Sequence, residues 1–221
     1  VALIAAAEAA FDRPAASADR RAAMARDLEA RLMGLPTGTQ DHYAALLGGA
    51  LEILHRPGGE LVRRIEADLE ALAASLLVIY SGQTHFSARQ NWLVVRRRLD
   101  GDPAVTALLA GIAEVASGMA PALAAGDLRR VGAAMGEEWR LRRRLAPGVS
   151  TPAIERLLEV AAAGGAWGGK ACGAGGGGCV AVLCPADRRE ALAARLHDAG
   201  GQILSARPVA GPLSVSSGGA R

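Results

Sequence analysis

GGKACGAGGGGCVAVLC, residues 168–184, is the stretch from which the rest of the chain can be read. Lys170 stands just ahead of a run in which Gly173, Gly175, Gly176, Gly177 and Gly178 surround Ala174. Glycine reaches positive φ freely and lets a second backbone or a ligand come close, so ordering such a loop is costly. Five glycines in six positions exceed what a turn between strands requires. The run ends in CVAVLC, residues 179–184, an apolar segment that reads as a buried strand. The loop then joins two strands, with backbone N–H groups lining a concavity suited to phosphate. A tight strand connection with no ligand is the competing reading. Lys170 is the only lysine of the chain, the other cationic side chains being arginine. A compact ammonium kept where arginine is used everywhere else points to a position that a planar guanidinium would not serve. The lysine precedes the glycines and no Gly-Lys-Ser/Thr follows, so this is not a Walker A loop.

Working outward, STPAIERLLEVAAAGG (150–165) reads as a helix with Ser150 as N-cap and two glycines as terminator. A helix over 186–199 and a strand in QILSARPV (202–209) follow the loop. SLLVIYSG (75–82) reads as a central strand. Three helices are expected after it, over about 86–99, over 103–124 with Asp102 as cap, and over 127–145. Strand, helices, strand, glycine loop, strand, helix, strand gives an α+β fold, with helices segregated against a mostly antiparallel sheet. Ahead of it, VALIAAAEAAF (1–11) reads as a buried helix, and Ser17 caps a helix over 18–33. GLPTG (34–38) is a loop, and Thr39 or Asp41 opens a short helix through Leu47. ALEIL (50–54) and LVRRIE (61–66) form a hairpin around RPGG. SVSSGGAR (214–221) has nothing to bury and is expected to be disordered.

The 221 residues suffice for a sizeable core, which must be aliphatic because aromatics are only 3%. A net charge of +3, with arginines scattered among acids, argues against nucleic acid as a partner. The runs at 96–98 and 140–144 lie on helices beside Glu and Asp and read as solvated, salt-bridged faces. Cys172, Cys179 and Cys184 lack Cys-x-x-Cys spacing, which disfavours a zinc site or disulfide framework and fits a reducing compartment. No apolar run approaches membrane-spanning length, and no signal peptide is visible, so a cytoplasmic protein is expected. The chain opens without Met inside an apolar helix, and is expected to be a piece of something longer.

Few residues stand out as chemical candidates. Asp41, in PTGTQDHY, sits at the start of a short helix, where the N-terminus favours an ionised carboxylate. It could take a proton from a substrate hydroxyl or orient it; a plain helix cap is the bland alternative. His42 adjoins it and could touch substrate, whereas His55, His85 and His197 show no ligand spacing. Glu29 gains interest only beside a divalent metal and phosphates. No nucleophile is paired with a base.

KACGAGGGGC (170–179) resembles the third motif of the GHMP small-molecule kinases, and PTGTQDHYAALLGG (36–49) the segment that holds the catalytic aspartate of their sugar-kinase branch. LLVIYSGQTHFSA, MGEEWRLRRRLAPGVSTPAIERLLEVA and GAWGGK are similar to that branch too, to the D-glycero-D-manno-heptose 7-phosphate kinases and fucokinase domains above all. The resemblance implies a two-domain GHMP kinase-like fold: 1–66 the remainder of an N-terminal domain, 67–209 a ferredoxin-like C-terminal domain, 210–221 a disordered tail. It implies ATP and Mg2+ as cofactors, a sugar or sugar phosphate as substrate, and room for a homodimer. It implies that Asp41 orients or deprotonates the sugar hydroxyl, that Glu29 binds magnesium and that His42 and Tyr43 face the substrate. Lys170, Gly173, Ala174, Gly175, Gly176, Gly177 and Gly178 would then pack against the nucleotide phosphates. The family's Pro-x-x-x-Gly-Leu-Gly-Ser-Ser-like loop is absent from the sequence, so the fragment itself is expected to be inactive. A non-catalytic binding module that keeps the kinase fold is the alternative.

Overall fold

The computed structural model describes residues 1–84 and 88–216, which fold as two compact units. His85, the start expected for a helix at Phe86, and the last five residues lie outside the described part. One unit is Val1–Ile65 with Pro208–Arg221, the other Glu66–Arg207.

The first unit contains α1 (Ala2–Ala10), α2 (Ala18–Met33), α3 (Gln40–Leu47), β1 (Ala50–Arg56) and β2 (Gly59–Ile65). Ser17 caps α2 by accepting the Arg20 N–H, and Gly34 ends it in the left-handed conformation, φ 65°. α1 is not the buried helix expected from its composition. Only Ala5 is buried, while Leu3 and Phe11 stand 83% and 75% exposed. β1 and β2 pair antiparallel from Ala50↔Ile65 to Arg56↔Gly59, a longer hairpin than the alternation indicated. Ala22, Tyr43 and Leu46 form the small core, joined by Leu51, Ile53, Val62 and Leu213.

Leu213 corrects the start of the expected disordered tail, whose last five residues lie outside the described part. The Gly49 N–H donates to Val209 O at 2.6 Å, the Leu213 N–H to Leu46 O at 3.0 Å, and Arg64 Nη2 to Ala210 O at 3.2 Å. Proline and glycine in RPVAGPL hid a segment that buries one leucine and satisfies carbonyls near α3.

The second unit runs α4 (Leu69–Ser75), β3 (Leu76–Tyr80), α5 (Ala88–Leu99), α6 (Pro103–Ala124), α7 (Leu128–Arg142), α8 (Pro152–Ala163), β4 (Gly168–Ala171), β5 (Cys179–Leu183), α9 (Arg189–Asp198) and β6 (Gln202–Leu204). The sheet order is β4-β5-β3-β6, every neighbouring pair antiparallel, which is the ferredoxin-like arrangement. Leu77, Ile79, Val180 and Val182 meet Ile154 and Leu157 of α8 and Leu192 and Leu196 of α9. On the opposite face Leu183 packs with Val131 and Met135 of α7 and Ala122 of α6. The helices therefore cover both faces. Two glycines of β4 make this close packing feasible: a Cβ on Gly168 would strike the Gly132 carbonyl of α7, and one on Gly169 would crowd Leu158 of α8.

Asp102 caps α6 as expected, Asp127, expected as the first residue of α7, is its N-cap, and Thr151, not Ser150, caps α8. The Ser150 hydroxyl instead donates to Glu155. α6 also corrects the reading on apolar runs. This 22-residue helix contains an 18-residue window of mean hydropathy 1.5, and so is long and apolar enough to cross a membrane by length and composition. Thr106, Glu114 and Ser117 interrupt the run, but alanines between them keep the mean high. Val105 and Leu108 turn inward to pack with Leu145, Ile112 and Leu141.

Candidate active site

In the first unit, Asp41 lies in the first turn of α3 and is exposed. It is not the N-cap; Thr39 holds that place, and its hydroxyl donates to Glu60 Oε1 at 2.9 Å. The carboxylate thus stands at the positive end of the helix with its oxygens open to solvent. His42 is 6% exposed, and its Nε2 has no hydrogen-bond partner among the described residues. Glu29 Oε2 of α2 stands 3.4 Å from that nitrogen, within ion-pair range but poorly aligned. Glu29 is itself half exposed. An orphaned buried nitrogen beside an open carboxylate leaves both groups available to a bound molecule.

Tyr43, expected to face substrate, is 2% exposed and sits in the core of the unit. Its hydroxyl donates to Asp19 Oδ1 at 3.0 Å. Burial first, and the Asp19 hydrogen bond second, push the phenol up to about 12. In this structure Tyr43 anchors α3 against α2 and has no group left for a ligand. Helical geometry accounts for the split: of three successive residues only some can face the core, and here His42 and Tyr43 do.

In the second unit, Lys170 of β4 and the loop over residues 172–178 occupy one end of the sheet. Gly173, Gly175, Gly176, Gly177 and Gly178 all have positive φ, from 66° to 144°. Gly175 could not be replaced without collision, since a Cβ there would run into the Val149 carbonyl oxygen. The loop's amides are only partly free. The Gly176 N–H donates to Val149 O at 2.6 Å and the Gly178 N–H to Gln83 O at 2.9 Å. The fully open cradle expected from the sequence is therefore reduced to the amides of Gly173, Ala174, Gly175 and Gly177 at most, among the described residues.

Lys170 does not reach freely into solvent. Its Nζ lies 2.7 Å from Glu138 Oε2, and the other oxygen of that carboxylate accepts from Arg142 Nε at 2.5 Å. Glu138 is 3% exposed. Burial holds the Lys170 ammonium below its usual range, and Glu138 opposes that shift. One buried anion therefore serves two cations and leaves a net positive charge beside the glycine loop. Neither Glu138 nor Arg142 was singled out from sequence. The only signal was their i, i+4 spacing within a run that otherwise behaves as a solvated face, as Arg140 does with Glu137.

With this geometry in place, the comparisons with known proteins are decisive for the second unit. Residues 119–202 match the family described as GHMP kinases C terminal. Over those residues the chain is similar to a GHMP kinase C-terminal domain. The matched segment of that domain contains Lys170, its glycine loop, Glu138 and Arg142. The chain is 29% identical over 175 residues to the bifunctional fucokinase/GDP-fucose pyrophosphorylase of Arabidopsis thaliana, covering 76% of this chain and 16% of that protein. It is 27% identical over 160 residues to the D-glycero-alpha-D-manno-heptose 7-phosphate kinase of Campylobacter jejuni, covering 71% of this chain and 47% of the relative. The chain thus spans less than half the length of either relative. Among solved structures, Lactococcus lactis galactokinase complexed with galactose superposes with a TM-score of 0.75 at 14% identity, over 97% of this chain and 65% of that one. The GHMP kinase fold is therefore established for the chain.

Proposed function

We propose that this chain is part of an ATP-dependent kinase that phosphorylates a hydroxyl of a sugar or sugar phosphate of the heptose 7-phosphate kind. The observation that carries the reading is the GHMP kinase C-terminal match, with Lys170 and its glycine loop inside it. Phosphoryl transfer needs positioning and charge stabilisation more than covalent chemistry, and the residues present suit that division of labour. Asp41, at a helix N-terminus and open to solvent, orients the attacking hydroxyl and accepts its proton. His42 offers its unpartnered Nε2 to the substrate. Glu29, a half-exposed carboxylate, fits a magnesium ion, which usually takes one or two protein carboxylates beside phosphate oxygens and would offset their charge. In the second unit, the positive surplus around Glu138 and the remaining loop amides favour a phosphate-bearing ligand.

The sequence holds no second glycine- and serine-rich loop for the nucleotide, so the 221 residues alone are proposed not to turn over. The test pairs this chain with the complete protein encoded by the source gene, assayed with ATP, Mg2+ and a panel of sugars and sugar phosphates. The complete protein is expected to phosphorylate one of them. Asp41→Asn in that protein should lower kcat about 10²–10⁴-fold without changing its melting temperature. Unchanged turnover would remove Asp41 from its role. A complete protein that binds no ATP and phosphorylates nothing on the panel would favour the non-catalytic binding module.

A further inference from the structure

The function proposed above gives no role to any of the three cysteines, and two of them flank the glycine loop. Lys170↔Ala181 and Ala171↔Val180 are the last registered pairs of the β4–β5 ladder before the glycine loop. Extending that register by one position sets Cys172 directly opposite Cys179, and the Cys172 N–H donates to Cys179 O at 2.8 Å. Opposed residues of an antiparallel pair point to the same face, with Cα atoms about 5.5 Å apart at a hydrogen-bonded position. That spacing lies within the range a disulfide bridges. The face is the one that carries Lys170, since alternate residues of a strand share a side.

We infer that Cys172 and Cys179 form a reversible disulfide that closes the glycine loop into a ring, a thiol-based modification site at the mouth of the phosphate-facing loop. Cys172 is exposed and Cys179 half-buried, which assigns the order of events. The oxidant is a low-molecular-weight disulfide. The Cys172 thiolate attacks one of its sulfurs, forming a mixed disulfide and releasing one small thiol. Cys179 then gives up its proton and attacks the Cys172 sulfur, expelling the second small thiol. The protein loses two protons and two electrons, and the oxidant gains them as two thiols. Desolvation first, and the neighbouring Cys179 second, push the Cys172 thiol upward while Lys170 draws it down, so the first step quickens as pH rises.

Cys184 gives the assay its internal control. It is fully buried at the far end of β5, its Sγ donating to Ser75 O. Five residues along a strand separate it from Cys179 by about 17 Å, beyond any disulfide. In the ring, the loop amides of Gly173, Ala174, Gly175 and Gly177 would be held in one arrangement. In the reduced form the hydrogen bonds of Gly176 to Val149 and of Gly178 to Gln83 and Ser81 restrain the loop, among the described residues.

The experiment incubates the native chain with oxidised glutathione, quenches with acid, and counts thiols after unfolding, with peptide mapping to locate the bond. The count should fall from three to one, with an unmodified Cys184 and a Cys172–Cys179 link that dithiothreitol reverses. Cys179→Ser should instead stop at a glutathione adduct on Cys172. A wild-type chain that keeps three thiols, stops at the adduct, or links Cys184 overturns the inference. None of these readouts depends on kinase activity, so the site stands or falls separately from the proposed function.

Discussion

At the scale of single residues, Glu138 carries the largest electrostatic responsibility. Both its oxygens face cations, Lys170 and Arg142, and each cation is only about a quarter exposed. Removing one partner of a buried pair leaves uncompensated charge and typically costs about 3–5 kcal/mol. Solvent reaching the two cations reduces that figure, so Glu138→Gln should cost about 2–3 kcal/mol in urea unfolding at neutral pH. The loss should shrink at alkaline pH, and the sign follows from Lys170. Its folded pKa lies below the unfolded one, and without Glu138 the downward push of burial is unopposed. As pH rises, the folded variant sheds this proton before the unfolded chain does, so the Lys170 contribution to stability climbs. A variant whose deficit against wild type stays constant from neutral to alkaline pH would show that Lys170 does not feel Glu138. Sequence could flag Lys170, because a lone lysine among arginines is visible in the composition. It could not show that the partner is Glu138, because that contact joins α7 to β4 across more than thirty residues and depends on how the sheet is covered.

At the scale of elements, the caps were the most legible features. Ser17 and Asp102 each accept from their own helix, a local interaction between residues at most three apart, and local interactions leave a sequence signature. Thr151 was misread in favour of its neighbour Ser150 because both hydroxyls suit the role and only the backbone chooses between them. α4 went unseen because LEALAAS runs directly into the strand that follows, without a breaker. Asp102 offers a clean test of a cap's charge. Its carboxyl is held below the ordinary range first by the Val105 backbone N–H and then by Arg97. A carboxylate with a depressed folded pKa stabilises above the unfolded value, about 3.9, and that stabilisation is lost as pH falls through the folded one. Asparagine caps nearly as well but carries no charge. Asp102→Asn should therefore flatten the acid limb of a urea-midpoint profile below about pH 4, while changing the neutral midpoint little. An acid limb identical to wild type would mean that other carboxylates carry it.

At the scale of the whole molecule, the chain leaves its first unit after β2, builds the second, and returns to the first. The sequence hid this return. A segment of Pro, Gly and Ser looks like a tail, and its value comes from where it docks, which no local pattern encodes. The docking rests on three backbone carbonyl contacts and one apolar side chain: Gly49 N–H to Val209 O, Leu213 N–H to Leu46 O, Arg64 to Ala210 O, and Leu213 against the Ala22, Tyr43 and Leu46 cluster. Gly48 is required beneath it, because a Cβ there would strike the Gly211 carbonyl. A chain ended at Arg207 keeps every strand and helix of the described residues, so composition alone would predict no effect. The contacts predict otherwise. The first unit should lose about 1–2 kcal/mol from the partly buried leucine alone. By hydrogen exchange, the Gly49 amide should lose its protection and the amides of α3 should open faster. Amides of the β3–β5 ladder, whose partners all lie within 66–207, should exchange at the rate of the full chain. Unchanged protection at Gly49 in the shortened chain would mean that Val209 does not hold this amide in solution, and that the first unit is complete at Ile65.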